Sequence, residues 1–270
     1  MTQPTPQPII QLRGVTKSYG GFDALRGVDL AINPGECTCV LGDNGAGKST
    51  LIKILAGLHT PSGGQLLIDG TEATLSSPRD ALDAGIATVY QTLAIVDELS
   101  VWRNFFLGQE LTGAFGVLKR AEMRRICSEQ LTQMGIDIPD VEVEAGNLSG
   151  GQRQVVAIAR AVYFGARVVI LDEPTAALGV KQSGVVLRFI AAARDRGVAV
   201  VFVTHNPHHA YLVGDHFTIL KLGRQELDAP RSAITLDELT REMAGGAELE
   251  TLSHELSLIH ISEPTRQAEI

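Results

Sequence analysis

The chain has 270 residues, 44% of them hydrophobic and only 5% aromatic, with a formal net charge of -8. That length can bury a large core, and the aliphatic bias suits a β/α protein whose strands are filled with Val, Ile, Leu and Ala. The acidic balance argues against a general nucleic-acid binder, which needs clustered cationic surface, though not against a local basic patch, and no apolar run reaches the roughly 18 residues of a membrane span.

The N-terminal MTQPTPQP has neither a basic n-region nor an apolar h-region, so no export signal is read and the protein is expected to stay in the cytosol. Residues 9–15 and 28–32 alternate like strands, with Gly20-Gly21 in the turn region between them. Tyr19, just after the first strand, is either a surface tyrosine in a turn or an aromatic plate for a base.

The stretch CTCVLGDNGAGKSTLIKIL at 37–55 is the one around which the rest is organised. It is a short apolar run, a glycine-rich loop and a helix-patterned segment, and Gly42, Gly47, Lys48 and Ser49 fit the phosphate-loop spacing G-x-x-x-x-G-K-[ST]. Glycines at 42, 45 and 47 let successive N–H groups turn inward as a nest for anionic oxygens, which a Cβ would obstruct. The helix beginning near Gly47 aims its positive end at the same place. The predicted site is therefore Gly42, Asp43, Asn44, Gly45, Ala46, Gly47, Lys48, Ser49 and Thr50. Lys48 would reach the β- and γ-phosphates and the Ser49 hydroxyl would complete a Mg²⁺ shell. Cys37 and Cys39 fall on one face of the strand, and Cys127 lies in a charged helical segment, so all three are expected as reduced, inert thiols.

A helical pattern over 48–58 stops at Pro61-Ser-Gly-Gly, and 65–69 and 85–89 read as strands, the second ending at Tyr90-Gln91. From Thr92 to about Ile138 the β-branched runs vanish. Helical patterns cover 101–107 and 119–134 around a loop at 108–116, which predicts an α-helical insertion, and acidic 139–146 leads back. Asn147-Leu-Ser-Gly-Gly-Gln-Arg-Gln then opens a further helix with Ser149 as its cap. Gly150 and Gly151 leave N–H groups open to an anion, although a capped helix start is common without any ligand.

Residues 167–171 form a short apolar strand ending in Asp172-Glu173-Pro174. Two acids there could be a solvated turn, but downstream of a phosphate loop this is where a Mg²⁺-orienting aspartate belongs. A helix over 181–194 and a strand over 198–203 lead to Thr204-His205, at the strand end where ligands gather in open α/β sheets, although a lone histidine there can be structural. A hairpin at 217–220 and 225–227 and a helix at Leu236–Met243 close the organised sequence.

With these pieces in order, residues 8–245 resemble the nucleotide-binding subunit of ATP-binding-cassette (ABC) transporters. Residues 42–50 look like Walker A, Gln91 the Q-loop, and Leu148, Ser149, Gly150, Gly151 and Gln152 (LSGGQ) the signature. Residues 168–173 look like Walker B and His205 the switch histidine, while Tyr19 matches the adenine-stacking position. The resemblance implies an α/β P-loop NTPase fold, with a RecA-like core, an antiparallel β subdomain and a helical insertion at about 92–162 carrying the signature. It also implies that two copies face head to tail, so that ATP on Walker A of one is capped by Ser149, Gly150 and Gly151 of the other. Ser49, Gln91 and, through water, Asp172 would then hold Mg²⁺, Glu173 would polarise the attacking water, and His205 would contact the γ-phosphate.

EPTAALGV, GVTKSYGGFDALRGVDL and NLSGGQRQ look like bacterial monosaccharide importers of fructose or ribose type. The implied partners are a second copy, transmembrane permease subunits and, indirectly, a periplasmic sugar-binding protein, with no nucleic acid. The implied place is the cytoplasmic face of the inner membrane. One departure is that Leu178 is followed by Gly179 where the family commonly has Asp, which puts coupling between the two sites in doubt. The alternatives are an importer subunit for another small solute, a soluble ABC ATPase acting on DNA or ribosomes, and a nucleotide-binding regulator without turnover. Residues 246–270 are expected to form an unstructured tail. From about Leu256 the tail resembles translated sequencing-adapter DNA, so no function is assigned to His254, His260 or Pro264.

Overall fold

The computed structural model describes residues 7–136 and 138–244; the expected tail at 246–270 lies outside the described residues. The chain opens with a hairpin, β1 (Ile10–Tyr19) and β2 (Phe22–Ile32), and continues to β3 (Cys37–Leu41) and α1 (Lys48–Leu55). Then come β4 (Gly63–Ile68), β5 (Thr71–Glu72), α2 (Pro78–Asp83) and β6 (Ile86–Val89). Three helices follow before the next strand: α3 (Val101–Phe106), α4 (Arg120–Gln133) and α5 (Gly150–Tyr163). The remainder is β7 (Val168–Asp172), α6 (Val180–Asp195), β8 (Ala199–Thr204), α7 (Pro207–Val213), β9 (His216–Lys221), β10 (Arg224–Pro230) and α8 (Leu236–Met243).

Two sheets result. One is antiparallel with strand order β2-β1-β4-β5; the other runs β10-β9-β3-β8-β7-β6, all parallel except the edge hairpin strand β10. Alternation along the parallel strands assigns their side chains to two cores. Cys37, Cys39, Leu41, Val169, Leu171, Val200 and Phe202 face the core shared with α3–α8. Val40, Val168, Ile170, Val201 and Val203 face the other core. There they meet α1 through Leu51, Ile52, Ile54 and Leu55, which also pack on Ile10, Leu12, Val28 and Leu66 of the antiparallel sheet. The phosphate-loop helix is thus clamped between two sheets, each buried aliphatic side chain contributing about 1.5–3 kcal/mol.

Several boundaries differ from those predicted. β1 runs on to Tyr19 and β2 begins at Phe22, because the half-buried and exposed residues at 16–19 pair across the hairpin without showing hydrophobic alternation. The helix expected over 48–58 stops at Leu55, where Ala56 and Gly57 close it. Two short helices were not predicted, α2 and α7. Each starts with a capping side chain and a proline, Ser77-Pro78 and Asn206-Pro207.

Candidate active site

Parallel pairing fixes which strand ends meet. Leu41 stands beside Thr204, Asp172 beside Val203 and Val89 beside Leu171, so β3, β8, β7 and β6 end at one edge about 4.8 Å apart. The loops leaving that edge carry, in spatial order, residues 42–50, His205, Asp172 with Glu173, and Tyr90-Gln91.

The loop wraps its own lysine. Lys48 is 8% exposed, and its Nζ donates to the carbonyls of Gly42 at 2.5 Å and Asp43 at 3.1 Å. Gly42 adopts φ +145°, and a Cβ there would lie 2.3 Å from the Leu220 carbonyl oxygen; at Gly47, φ +110°, it would lie 2.8 Å from that of Ala24. No other residue fits either position, since both the dihedral and the neighbouring backbone forbid a side chain. Asp43, Asn44, Gly45 and Ser49 are exposed, Thr50 is half-buried and Ala46 is buried, so the outer rim of the loop faces solvent.

Lys48 Nζ also approaches Glu173 Oε1 at 3.9 Å, with the glutamate side chain 13% exposed. His205 Nδ1 lies 3.0 Å from both Glu173 carboxylate oxygens. Glu173 itself adopts φ +49°, a left-handed conformation unusual for a residue with a Cβ. Its N–H donates to the Val203 carbonyl at 2.9 Å, and Thr204 Oγ1 reaches Oε2 at 3.4 Å. Burial raises the pKa of neighbouring Asp172, as does the charge of Glu173, while Lys48 and Lys53 pull it back. Two adjacent carboxylates beside a single buried ammonium leave this edge short of positive charge. Ser49, Gln91 and Asp172 offer hydroxyl, amide and carboxylate oxygens, the donor set of a hard divalent cation completed by phosphate oxygens. The residues present therefore fit Mg²⁺.

Tyr19 ends β1 and is 40% exposed. Its ring centroid is 5.5 Å from that of His59 in an edge contact, and Lys17 Nζ lies 5.2 Å from the centroid while donating to the Thr60 carbonyl at 2.7 Å. Sequence reading missed His59, about forty residues beyond Tyr19, and missed Lys17 because its link to the Thr60 carbonyl spans a similar gap. The segment 148–152 opens α5: Ser149 Oγ accepts from the Gln152 N–H at 3.3 Å, and Gln152 Oε1 accepts from the Ser149 N–H at 3.0 Å. Leu148 is buried. The two glycines have a packing role the sequence did not reveal, since a Cβ at Gly150 would meet Leu178 Cδ2 at 2.8 Å and one at Gly151 the Gln182 carbonyl oxygen at 3.0 Å. Among the described residues, no hydrogen bond or ion pair joins 148–152 to 42–50 within the chain. Cys37, Cys39 and Cys127 are free and buried, and burial pushes the Cys127 thiol up to about 12.

Beside β6 and the loop after Gln91, a cleft of about 700 Å³ runs between the strand edge and the helices, with Arg79, Ile95, Asn104, Gln109, Arg160 and Phe164 in its wall. No helix among the described residues is long and apolar enough to cross a membrane.

A glycine loop around a buried lysine, set beside a strand-end carboxylate pair and a histidine on a mostly parallel sheet, defines a phosphate-loop nucleotide-binding protein. The comparisons narrow the class. The family model described as "ABC transporter" matches residues 25–176. The chain is 41% identical to the xylose/arabinose import ATP-binding protein XylG of Sulfolobus acidocaldarius over 239 residues, 88% of this chain and 95% of that one. It is 42% identical to the fructose import ATP-binding protein FrcA of Rhizobium meliloti over 249 residues, 90% and 96% of the two chains. The dimeric post-hydrolysis structure of the ATP-binding cassette MJ0796, bound to ADP and Pi, superposes with a TM-score of 0.68 at 29% identity over 82% of this chain and 98% of that one. The chain belongs to the ABC transporter family, and it has the ABC ATPase cassette fold. It is an ATPase subunit of an ABC importer, hydrolysing ATP to energise transport, and cassettes of this kind dimerise and act with permease subunits.

Proposed function

We propose that the protein is the motor of a monosaccharide importer, working at the cytoplasmic face of the inner membrane as a head-to-tail pair. The observation that carries the site reading is the convergence of Lys48, Glu173 and His205, at 3.9 Å and 3.0 Å, on the edge where the phosphate loop emerges. The sugar assignment rests on the relatives whose names specify xylose/arabinose and fructose import. A fructose, xylose or arabinose importer, supplied indirectly by a periplasmic sugar-binding protein, is the reading they favour.

In this reading Tyr19 stacks the adenine, and Lys48 with the loop N–H groups neutralises phosphate charge. Ser49, Gln91 and, through water, Asp172 would hold the metal. Mg²⁺, when bound, would supply positive charge against the phosphates. Glu173 polarises the attacking water, and His205 contacts the γ-phosphate. The second copy brings Leu148, Ser149, Gly150, Gly151 and Gln152 over the same phosphates, where the N-terminal end of α5 favours negative charge. That no hydrogen bond or ion pair among the described residues joins 148–152 to its own phosphate loop supports completion by a partner copy. The cleft beside Gln91 is the place for a cytoplasmic segment of the permease, since movement of the Gln91 loop there would pass from nucleotide to membrane subunit.

Reconstitution in liposomes with monosaccharide permease subunits tests the reading. Sugar-dependent phosphate release and uptake of a monosaccharide are expected. Uptake of an unrelated solute alone would overturn the sugar assignment. Gly179 starts α6 with no capping side chain where the family commonly has Asp, which bears on coupling between the two sites of the pair.

A further inference from the structure

One short stretch of chain holds the segment after β7 at two points. His205, just past β8, places Nδ1 3.0 Å from the Glu173 carboxylate, and His209, inside α7, places Nδ1 3.0 Å from Thr175 Oγ1. Thr175 is 4% exposed, so its hydroxyl has little access to water and depends on that partner. The two imidazoles are not independent. Thr204 Oγ1 accepts from the Asn206 N–H at 3.1 Å, and Asn206 Oδ1 accepts from the His209 N–H at 3.1 Å, so the first turn of α7 sets one ring relative to the other. Burial lowers the His209 pKa, and the neighbouring His208 and His205 lower it further, which keeps the ring neutral near neutral pH.

Between the two contacts lies Glu173 at φ +49°. A left-handed residue with a Cβ persists only where its surroundings over-determine it, and a carboxylate on such a turn changes its aim when the following residues shift. Pro174 restricts the turn from one side, and Thr175 is the first residue after it with a side-chain anchor.

We propose that His209 is a positioning residue for ATP hydrolysis: through Thr175 it fixes the turn at Glu173 and hence the direction of the Glu173 carboxylate. His209 touches no nucleotide in this arrangement; it acts on the reacting centre through one hydrogen bond and two residues of backbone. The inference rests on the reading of Glu173 as the group that polarises water.

The full-length protein is tested for ATP affinity and steady-state phosphate release as wild type, H209A, H209N, T175V, the double variant H209A/T175V, and E173Q. H209A and T175V are each expected to lower kcat on the order of tenfold, since a small misplacement of a reacting group has that scale of cost. ATP affinity should stay within about twofold, because the phosphate loop and Tyr19 are untouched. H209N, whose amide can occupy the place of Nδ1, should recover most of the rate. The double variant should be no slower than either single one, because both break the same bond. If H209A does not fold, T175V reads the same bond from the other side. Wild-type turnover in folded H209A or T175V beside an inactive E173Q overturns the positioning role alone, as does a lowered melting temperature with unchanged kcat. Near-normal turnover in E173Q removes the reading of Glu173, and the proposal with it.

Discussion

His205 Nδ1 stands 3.0 Å from both oxygens of the Glu173 carboxylate, and the buried ammonium of Lys48 approaches the same carboxylate at 3.9 Å. A carboxylate held between an imidazole and an ammonium is aimed by both, which is what a group that polarises water requires. Glu173→Gln keeps the shape and the hydrogen-bonding reach but removes the charge. Phosphate release should fall by about 10²–10⁴-fold while ATP binding survives, trapping the two copies together. Single-turnover phosphate release with size-exclusion chromatography in ATP checks both parts; rapid turnover in the variant would take Glu173 out of this role.

The loop glycines differ in what a side chain would meet. At Gly42 a Cβ would sit 2.3 Å from the Leu220 carbonyl oxygen and 2.9 Å from Ala46 Cβ, whereas at Gly45, φ +82°, nothing lies within 4 Å. Gly42→Ala must therefore move β9 or the loop, and should cost about 1–3 kcal/mol together with nucleotide binding. Gly45→Ala meets only the dihedral penalty of about 1–2 kcal/mol and should fold. Thermal melting of the two variants decides it, with equal losses counting against the steric account.

Much of this site is legible in the sequence because its parts are local spacings. G-x-x-x-x-G-K-S, LSGGQ and the two acids after an apolar strand each lie within a few residues of chain, and alternation assigns β3, β7 and β8 as strands. The order in which those strands lie side by side is not local. Cys37 pairs with Val200 and Thr38 with His216, and no periodicity records such partners. The short helices α2 and α7, of six and seven residues, hold too little sequence for an amphipathic pattern, although Ser77-Pro78 and Asn206-Pro207 carry the cap and first-turn proline that mark a helix start. Because α7 was missed, so was its placing of His209 against Thr175. Gly150 and Gly151 read as an anion site in sequence, while their packing on Leu178 and Gln182 is visible only in three dimensions.

Away from the nucleotide edge, His216 and Asp228 link β9 to β10 at 3.0 Å, and Thr218 Oγ1 also donates to Asp228 Oδ1 at 2.8 Å. The hydrogen bond to Asp228 raises the His216 pKa above its ordinary 6.5 against the effect of burial, with Asp228 and Glu36 charges adding to it. Burial works against ionised Asp228, but the bonds from His216 and Thr218 outweigh it and hold its pKa below 3.8. The His216 contribution to stability is therefore complete below pH 6.5 and is lost as pH rises through the folded-state value; the Asp228 contribution is lost as pH falls through its own. Asp228→Asn should lower the urea midpoint more at pH 5.5 than at pH 8.5. An equal loss at both would show that the pair contributes by packing rather than by charge.

Tyr19 offers an exposed ring at the end of β1, and its surroundings suit it to stack a base. Lys17 lies over the ring and is tied to the Thr60 carbonyl, His59 meets the ring in an edge contact, and the Ser62 N–H donates to the Thr16 carbonyl at 2.8 Å. These contacts fasten the strand end to the chain leaving α1, so the ring moves with the helix that the phosphate loop opens. Stacking is worth about 1–3 kcal/mol per base by alanine substitution. Tyr19→Ala should thus weaken ATP binding by roughly 5- to 150-fold, Tyr19→Trp should preserve it, and neither should alter the affinity for inorganic tripolyphosphate, which has no base. Calorimetric titration with both ligands separates the contributions: a Tyr19→Ala variant that loses tripolyphosphate as well would show that the ring supports the phosphate loop instead of the adenine.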